Sequence, residues 1–162
     1  LGFRTNNVTP AVLAAALRVW EAGADLSAVT ERALNYRPLS VLRLWGLALA
    51  QMKLERRVVW THITHLMRAE AAAPANGDSG LVSQLNNAPE AAIAAVFTET
   101  PDGRVEISLR AKAGYDVAQI ALSLGGGGHP QAAGCTLAGP LAAVEARVLP
   151  LLFQAAGRGE RR

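Results

Sequence analysis

Apolar residues recur along the first 56 positions at helical spacing. Leu13, Ala16, Leu17 and Trp20 fall on one face, after the N-cap and first-turn pair Thr9–Pro10 and before Gly23. Asp25 is placed to cap a second helix ending near Asn35, and Pro38 to open a third whose stripe is Leu42, Trp45, Leu49 and Met52. No strand is expected among these three helices.

From Arg57 onward the pattern alternates between strand and helix. RVVWTHIT reads as a strand, HLMRAEAA as a short helix, and AAPANGDSG as a surface loop. Asp78 or Ser79 is expected to cap the helix GLVSQL. AAIAAVFTET and RVEISLRAK flank Pro101-Asp102-Gly103, a strong hairpin signal. Asp116 and Gln119 form a capping pair for VAQIALSL, whose Val117, Ile120, Ala121 and Leu124 line one face. A glycine run stops that helix, CTLAG makes a last short strand, and PLAAVEARVL opens a C-terminal helix that Pro150 is expected to kink or end.

The expected fold class is therefore α/β: an N-terminal helical arm, residues 1–56, followed by a small mixed β-sheet domain packed with helices, residues 57–162. About half the residues are apolar but only 5% are aromatic, so alanine, leucine and valine must fill the core. A net charge of +3 permits an anionic partner without demanding one, and part of it lies in Arg158, Arg161 and Arg162 at the end of the chain. The single cysteine rules out an intrachain disulfide and fits a reducing, cytoplasmic compartment. No signal peptide and no long uncharged apolar run are present, so no membrane partner is expected.

The chemistry concentrates in LGGGGHPQAAG, residues 124–134. Gly125 serves as a helix C-cap glycine. Gly126, Gly127 and Gly128 exceed what a helix stop requires, and glycines let backbone approach a bulky ligand. Pro130 is expected to begin a helical turn through Gln131, Ala132 and Ala133, whose free N–H groups would attract an anion. His129 stands between the glycines and that turn, while Ala132, Ala133 and Gly134 are small enough to keep a pocket open or to let the turn pack tightly on the sheet. A flexible surface loop would have the same composition. The run is neither a P-loop, lacking Gly-Lys-Ser/Thr, nor a dinucleotide fingerprint, because it follows a helix. In RVEISLR, Ser108 and Arg110 share the polar face, with Arg110 at the strand's carboxyl end and Lys112 two residues on. An ordinary solvent-exposed arginine fits that pattern equally well.

Taken together, SLRAKAGYDVAQIALSLGGGGHPQAAGCTLAG resembles the DHH-associated domain of DHH-family phosphoesterases. DSGLVSQL resembles the helix before that domain's hairpin, and LGFRTNNVTPAVLAAALRVWEAGAD the stretch leaving the catalytic DHH domain in the nanoRNase and bisphosphate-nucleotide phosphatase branch. The resemblance implies that Arg110, Gly126, Gly127, Gly128 and His129, with Ala133 and Gly134, hold the nucleotide end of a substrate. Lys112, Ser108 and Gln131 are secondary candidates. It implies a substrate-binding lobe of a metal-dependent phosphodiesterase, an exoribonuclease of either polarity acting on short RNA, and also on 3′-phosphoadenosine 5′-phosphate.

The Asp-His-His motif of that family is absent. Among His62, His65 and His129, with Asp25, Asp78, Asp102 and Asp116, only His62 and His65 have a spacing that suggests shared ligation, and three residues' separation along a continuing strand points those two to opposite faces. No catalytic residue, metal site or cofactor is therefore expected in this chain. Two divalent ions, manganese by resemblance, belong to a missing N-terminal DHH domain, and a chain opening on Leu1 is read as an inactive fragment. The arm's apolar stripes, deprived of that partner, would also support a homodimer. Cys135 reads as a core cysteine, His62 and His65 as structural or surface residues, and Trp20, Trp45 and Trp60 as core positions, not a stacking platform. Competing expectations are a cyclic di-adenylate or linear dinucleotide phosphodiesterase, a single-stranded DNA exonuclease, and a non-catalytic tRNA-binding or dimerisation module like that of alanyl-tRNA synthetases.

Overall fold

The structure, a computed structural model, describes residues 8–32 and 36–159. The opening LGFRTNN, the expected end of the second helix at Asn35, and Arg161 and Arg162 lie outside the described residues. The chain divides into two compact units, Leu1–Pro38 and Leu39–Arg162.

The first unit holds α1 (Pro10–Glu21) and α2 (Leu26–Thr30). Both start where the sequence says they should. The Thr9 hydroxyl accepts from the Val12 amide at 3.3 Å, and the Asp25 carboxylate from the Ala28 amide at 2.9 Å. The face expected to be core is not buried: Leu13, Leu17 and Trp20 are all exposed. Trp20 is therefore no core residue.

The second unit runs α3 (Leu39–Ala50), β1 (Lys53–Glu55), β2 (Val58–Ile63), α4 (His65–Glu70), α5 (Leu81–Leu85), β3 (Ile93–Glu99), β4 (Arg104–Ala111), α6 (Ala118–Ser123), β5 (Gly127–His129), β6 (Ala132–Ala138) and α7 (Leu141–Gly159). Its one sheet has the order β1-β2-β3-β4-β6-β5, antiparallel except for the parallel β2–β3 pair. The observed division after Pro38 replaces the boundary expected near residue 56. The reason is that α3 packs into the second unit: Val41, Leu44, Trp45 and Ala48 join one core with Val59, Ile63, Met67, Leu81, Val82, Leu85 and Val96. The buried stripe of α3 is therefore turned from the one expected, and Leu42 and Met52 are exposed. Trp45 is fixed by its indole N–H, which donates to the Gly77 carbonyl at 2.8 Å.

The opposite face carries the second core. Trp60, Phe97, Val105, Ile107, Leu109, Ala133, Cys135 and Leu137 pack under Ile120 and Ala121 of α6 and Val144, Val148 and Leu152 of α7. Trp60 meets Phe153 edge-on, 5.8 Å between ring centres. Helix α7 continues through Pro150 instead of stopping there. Pro150 is exposed, and the buried stripe Val144, Val148, Leu152 and Ala156 holds the helix on both sides of it. The N-cap of α5 is Gly80 at φ +93°, not Asp78 or Ser79. Asp78 instead accepts from the Thr98 hydroxyl and pairs with Arg68. No helix among the described residues is long and apolar enough to cross a membrane.

Candidate functional site

Strand β4 alternates strictly. Val105, Ile107, Leu109 and Ala111 are buried toward α6 and α7, leaving Arg104, Glu106, Ser108 and Arg110 on the other face. Strand β6 does the same, with Ala133, Cys135 and Leu137 buried and Ala132, Gly134 and Thr136 opposite. Directly opposed residues of an antiparallel pair project from the same face. The register pairs Arg110 with Ala132, and Ala132 with His129. Arg110 and His129 thus stand in one row across three strands, about 10 Å apart at Cα from two strand spacings. Ala132 is the residue between them in that row. The neighbouring row is Ser108, Gly134 and Gly127, a nearly bare trough beside two basic side chains.

This row is held from behind. Asp116 caps α6, its carboxylate accepting from the Ala118 and Gln119 amides at 2.9 and 3.3 Å. Gly125, at φ +82°, lets the chain leave α6, and the Gly126 amide donates back to the Ala121 carbonyl at 2.7 Å. Pro130 and Gln131 then form a two-residue turn between β5 and β6. The Pro130 carbonyl accepts from the Val117 amide at 2.9 Å, and the Gln131 carbonyl from the Ala111 amide at 3.0 Å. Both bonds tie the hairpin tip, and with it His129, to the rest of the domain.

Several expected site residues are placed elsewhere. No helical turn forms at residues 130–133, because residues 132 and 133 are drawn into the ladder with β4 and β5. The anion site of free N–H groups is accordingly absent, and Gln131 is an exposed turn residue. Ala133 is 7% exposed and belongs to the core. Gly126 and Gly128 are explained without a ligand. A Cβ on Gly126 would collide with the Gly134 carbonyl and lie 2.5 Å from Cys135 Cβ. One on Gly128, at φ +141°, would lie 2.5 Å from the Ala132 carbonyl and Ala133 Cα. Close approach of β5 to β6 demands both. At Gly127, by contrast, a Cβ would meet open space. Lys112 is engaged structurally: its ammonium donates to the Ala88 and Pro89 carbonyls at 2.7 and 3.1 Å, stapling the end of β4 to the loop after α5.

Arg110 is half-buried, and its Nη1 donates to the Leu109 carbonyl at 2.9 Å. Among the described residues no carboxylate forms an ion pair with it, whereas Arg104 pairs with Asp102 at 2.6 Å. Burial pushes the Cys135 thiol up, against the opposing charge of Arg147, which leaves a poor nucleophile. His62 meets Glu145 at 3.1 Å beneath α7, and His65 opens α4, its amide donating to the Glu99 carboxylate at 2.9 Å. Among the described residues no three His, Cys, Asp or Glu side chains are grouped to hold a metal ion, so the donors present do not fit a metal centre. Sequence reasoning missed one contributor, the Gly114–Asp116 loop, which with His129, Pro130 and Gln131 lines a groove at the hairpin tip; Ala132, expected in a helical turn, is instead the spacer between Arg110 and His129. The Gly-Tyr-Asp triplet just before α6 was the available signal.

Comparison with known proteins bears on this arrangement. The chain is 35% identical over 141 residues to the bifunctional oligoribonuclease and PAP phosphatase NrnA of Thermus thermophilus, covering 85% of this chain and 41% of that protein. The chain thus spans about two fifths of the length of that curated relative. A solved exopolyphosphatase-related protein from Bacteroides fragilis superposes with a TM-score of 0.84 at 20% identity, over 97% of this chain and 46% of that one. The pGpG-specific phosphodiesterase PggH from Vibrio cholerae superposes with a TM-score of 0.53 at 17% identity, over 97% of this chain and 54% of that one. At those identities the structures speak for the fold. Residues 65–155, more than half of the chain and including α4 through most of α7, match the DHHA1 domain, and the chain belongs to that family.

Proposed function

We propose that this chain is the substrate-binding lobe of a phosphodiesterase that degrades short oligoribonucleotides, with 3′-phosphoadenosine 5′-phosphate as a second substrate. The observation that carries this reading is the Arg110–Ala132–His129 row on an open sheet face, beside the trough formed by Ser108, Gly134 and Gly127. The likeness to an oligoribonuclease and PAP phosphatase supplies the substrate class. In this reading the planar guanidinium of Arg110 takes two phosphate oxygens and the His129 ring donates to the same group. The nearly bare trough lets a sugar or base lie against peptide planes. The lobe contributes positioning and charge neutralisation, and no bond-breaking step is assigned to its own residues.

The test is equilibrium binding of 5′-phosphorylated di-adenylate to the full chain and to two variants. Arg110→Ala is expected to weaken binding about thirtyfold, the loss of a charge-assisted pair worth roughly 2 kcal/mol. His129→Ala is expected to weaken it by about fivefold to tenfold, and both variants should keep the wild-type circular dichroism spectrum. Wild-type affinity in Arg110→Ala would sink the reading.

A further inference from the structure

On the side of the sheet away from Arg110, α6 and α7 enclose a groove of about 400 Å³, a size within the usual range for small-ligand sites. Its floor is apolar, made by buried Ile120 and half-buried Leu151. Two exposed primary amides, Gln119 of α6 and Gln154 of α7, line it together with exposed Arg158. Each amide carries both a donor pair and an acceptor, the complement of a heterocyclic base edge. Tyr115, half-buried with the Arg57 guanidinium 5.8 Å over its ring, is also part of the lining.

The groove does not end there. It shares Gly114, Tyr115 and Asp116 with the groove that His129, Pro130 and Gln131 line at the hairpin tip. A surface path therefore runs from His129, over Tyr115, to Arg158. Among the described residues Asp116 is the one acid lining it, and its carboxylate is already engaged by the first amides of α6. Apolar side chains, two amides, an aromatic ring and a guanidinium match the parts of one nucleotide: base faces, base edges and phosphate.

We propose that the α6–α7 groove is a second nucleotide subsite, distinct from the Arg110–His129 row. The choice of a nucleotide as its occupant rests on the substrate class proposed above; the groove itself does not. The occupant is either the distal unit of a strand that crosses Tyr115 or a separate mononucleotide, and the two sources are separable.

Backbone amide shifts of the full chain would be followed with adenosine 5′-monophosphate and with 5′-phosphorylated tetra-adenylate. In Arg110→Ala, where the first site is disabled, the mononucleotide is expected still to perturb residues 115–123 and 151–158. Adding Arg158→Ala should weaken that response about fivefold. In the otherwise wild-type chain, a fivefold loss for tetra-adenylate but none for di-adenylate on Arg158→Ala identifies one strand spanning both sites. Unchanged tetra-adenylate binding, with the mononucleotide response retained, identifies an independent nucleotide. Silence of those amides toward both probes overturns the subsite. Should Arg110→Ala bind di-adenylate normally while these amides respond, the first reading fails and the subsite stands.

Discussion

On the sheet face away from α6 and α7, two halves of one pleated surface have opposite fates. Strands β2 and β3 present Val59, Thr61, Ile63, Ala94, Val96 and Thr98 there, all buried, most of them in the core with α3, α4 and α5. Strands β4, β6 and β5 present Glu106, Ser108, Arg110, Ala132, Gly134, Thr136, Gly127 and His129, none of them buried. Even the polar groups of the first half are consumed internally. The Thr61 hydroxyl donates to the Ala48 carbonyl, and that of Thr98 to Asp78. In the second half Arg110 and the open position beside Gly127 are left for something else. On the function proposed above, stability resides in one half and recognition in the other, and substitutions can test whether that division holds.

The largest effect is expected in the covered half. Ile63→Ala removes a fully buried side chain and should cost about 2–5 kcal/mol by chemical denaturation, with unchanged affinity per folded molecule. Arg110→Ala should show the converse, a stability change within about 1 kcal/mol and the affinity loss described above. If Ile63→Ala weakened binding in the fraction that remains folded, the two halves would be coupled and the division would be wrong.

The glycine run sharpens the comparison inside one strand. Gly126→Ala and Gly128→Ala drive a methyl into the β6 backbone and should each destabilise by about 1–3 kcal/mol. Gly127→Ala meets no protein atom, so its stability should stay within about 0.5 kcal/mol of wild type. Its affinity for di-adenylate should nonetheless fall, because the methyl fills the trough. Equal stability losses at Gly127 and Gly128 would show that the run is structural throughout.

These glycines also mark the limit of what the sequence disclosed. Local signals were sufficient wherever one residue decides the backbone: Thr9–Pro10 for α1, Pro101-Asp102-Gly103 for the β3–β4 hairpin, Asp116 for α6. The alternation in RVEISLR placed Arg110 and Ser108 on the correct face. What could not be read was whatever depends on a distant partner. Gly127–His129 has no side-chain pattern of a strand and becomes one only by pairing with β6. Lys53–Glu55, likewise unforeseen, is a strand because β2 lies beside it. Pro130 suits the first turn of a helix or a tight turn equally well, and only the register of β6 decides. Lys112 looked like a phosphate ligand until the loop carbonyls of Ala88 and Pro89 came within its reach.

Lys112 lies at the border between the halves, and its substitution gives an intermediate effect. Lys112→Met keeps the aliphatic stem and removes both hydrogen bonds. A stability loss of about 1–2 kcal/mol is expected for a half-buried, charge-assisted staple, with di-adenylate affinity falling no more than about threefold. An affinity loss as large as that of Arg110→Ala would return Lys112 to the binding surface.

The smallest effect concerns the turn that joins the covered β3 to the open β4. The Thr100 hydroxyl, at 2.5 Å, holds the Asp102 carboxyl below its ordinary value of 3.8, and the Arg104 guanidinium at 2.6 Å adds to the shift. A carboxylate with a depressed folded pKa contributes stability that is fully present above the unfolded value and is lost as pH falls through the folded one. The stability difference between wild type and Asp102→Asn should therefore be constant above about pH 5 and shrink progressively below the ordinary value of 3.8. Because the turn is exposed, 1 M salt should reduce the part owed to Arg104 and leave the Thr100 bond in place. Di-adenylate binding at neutral pH should not change, since Asp102 stands at the far end of β4 from Arg110. A drop in affinity would mean that the hairpin turn sets the position of the open half, so that recognition begins at the border and not in the trough.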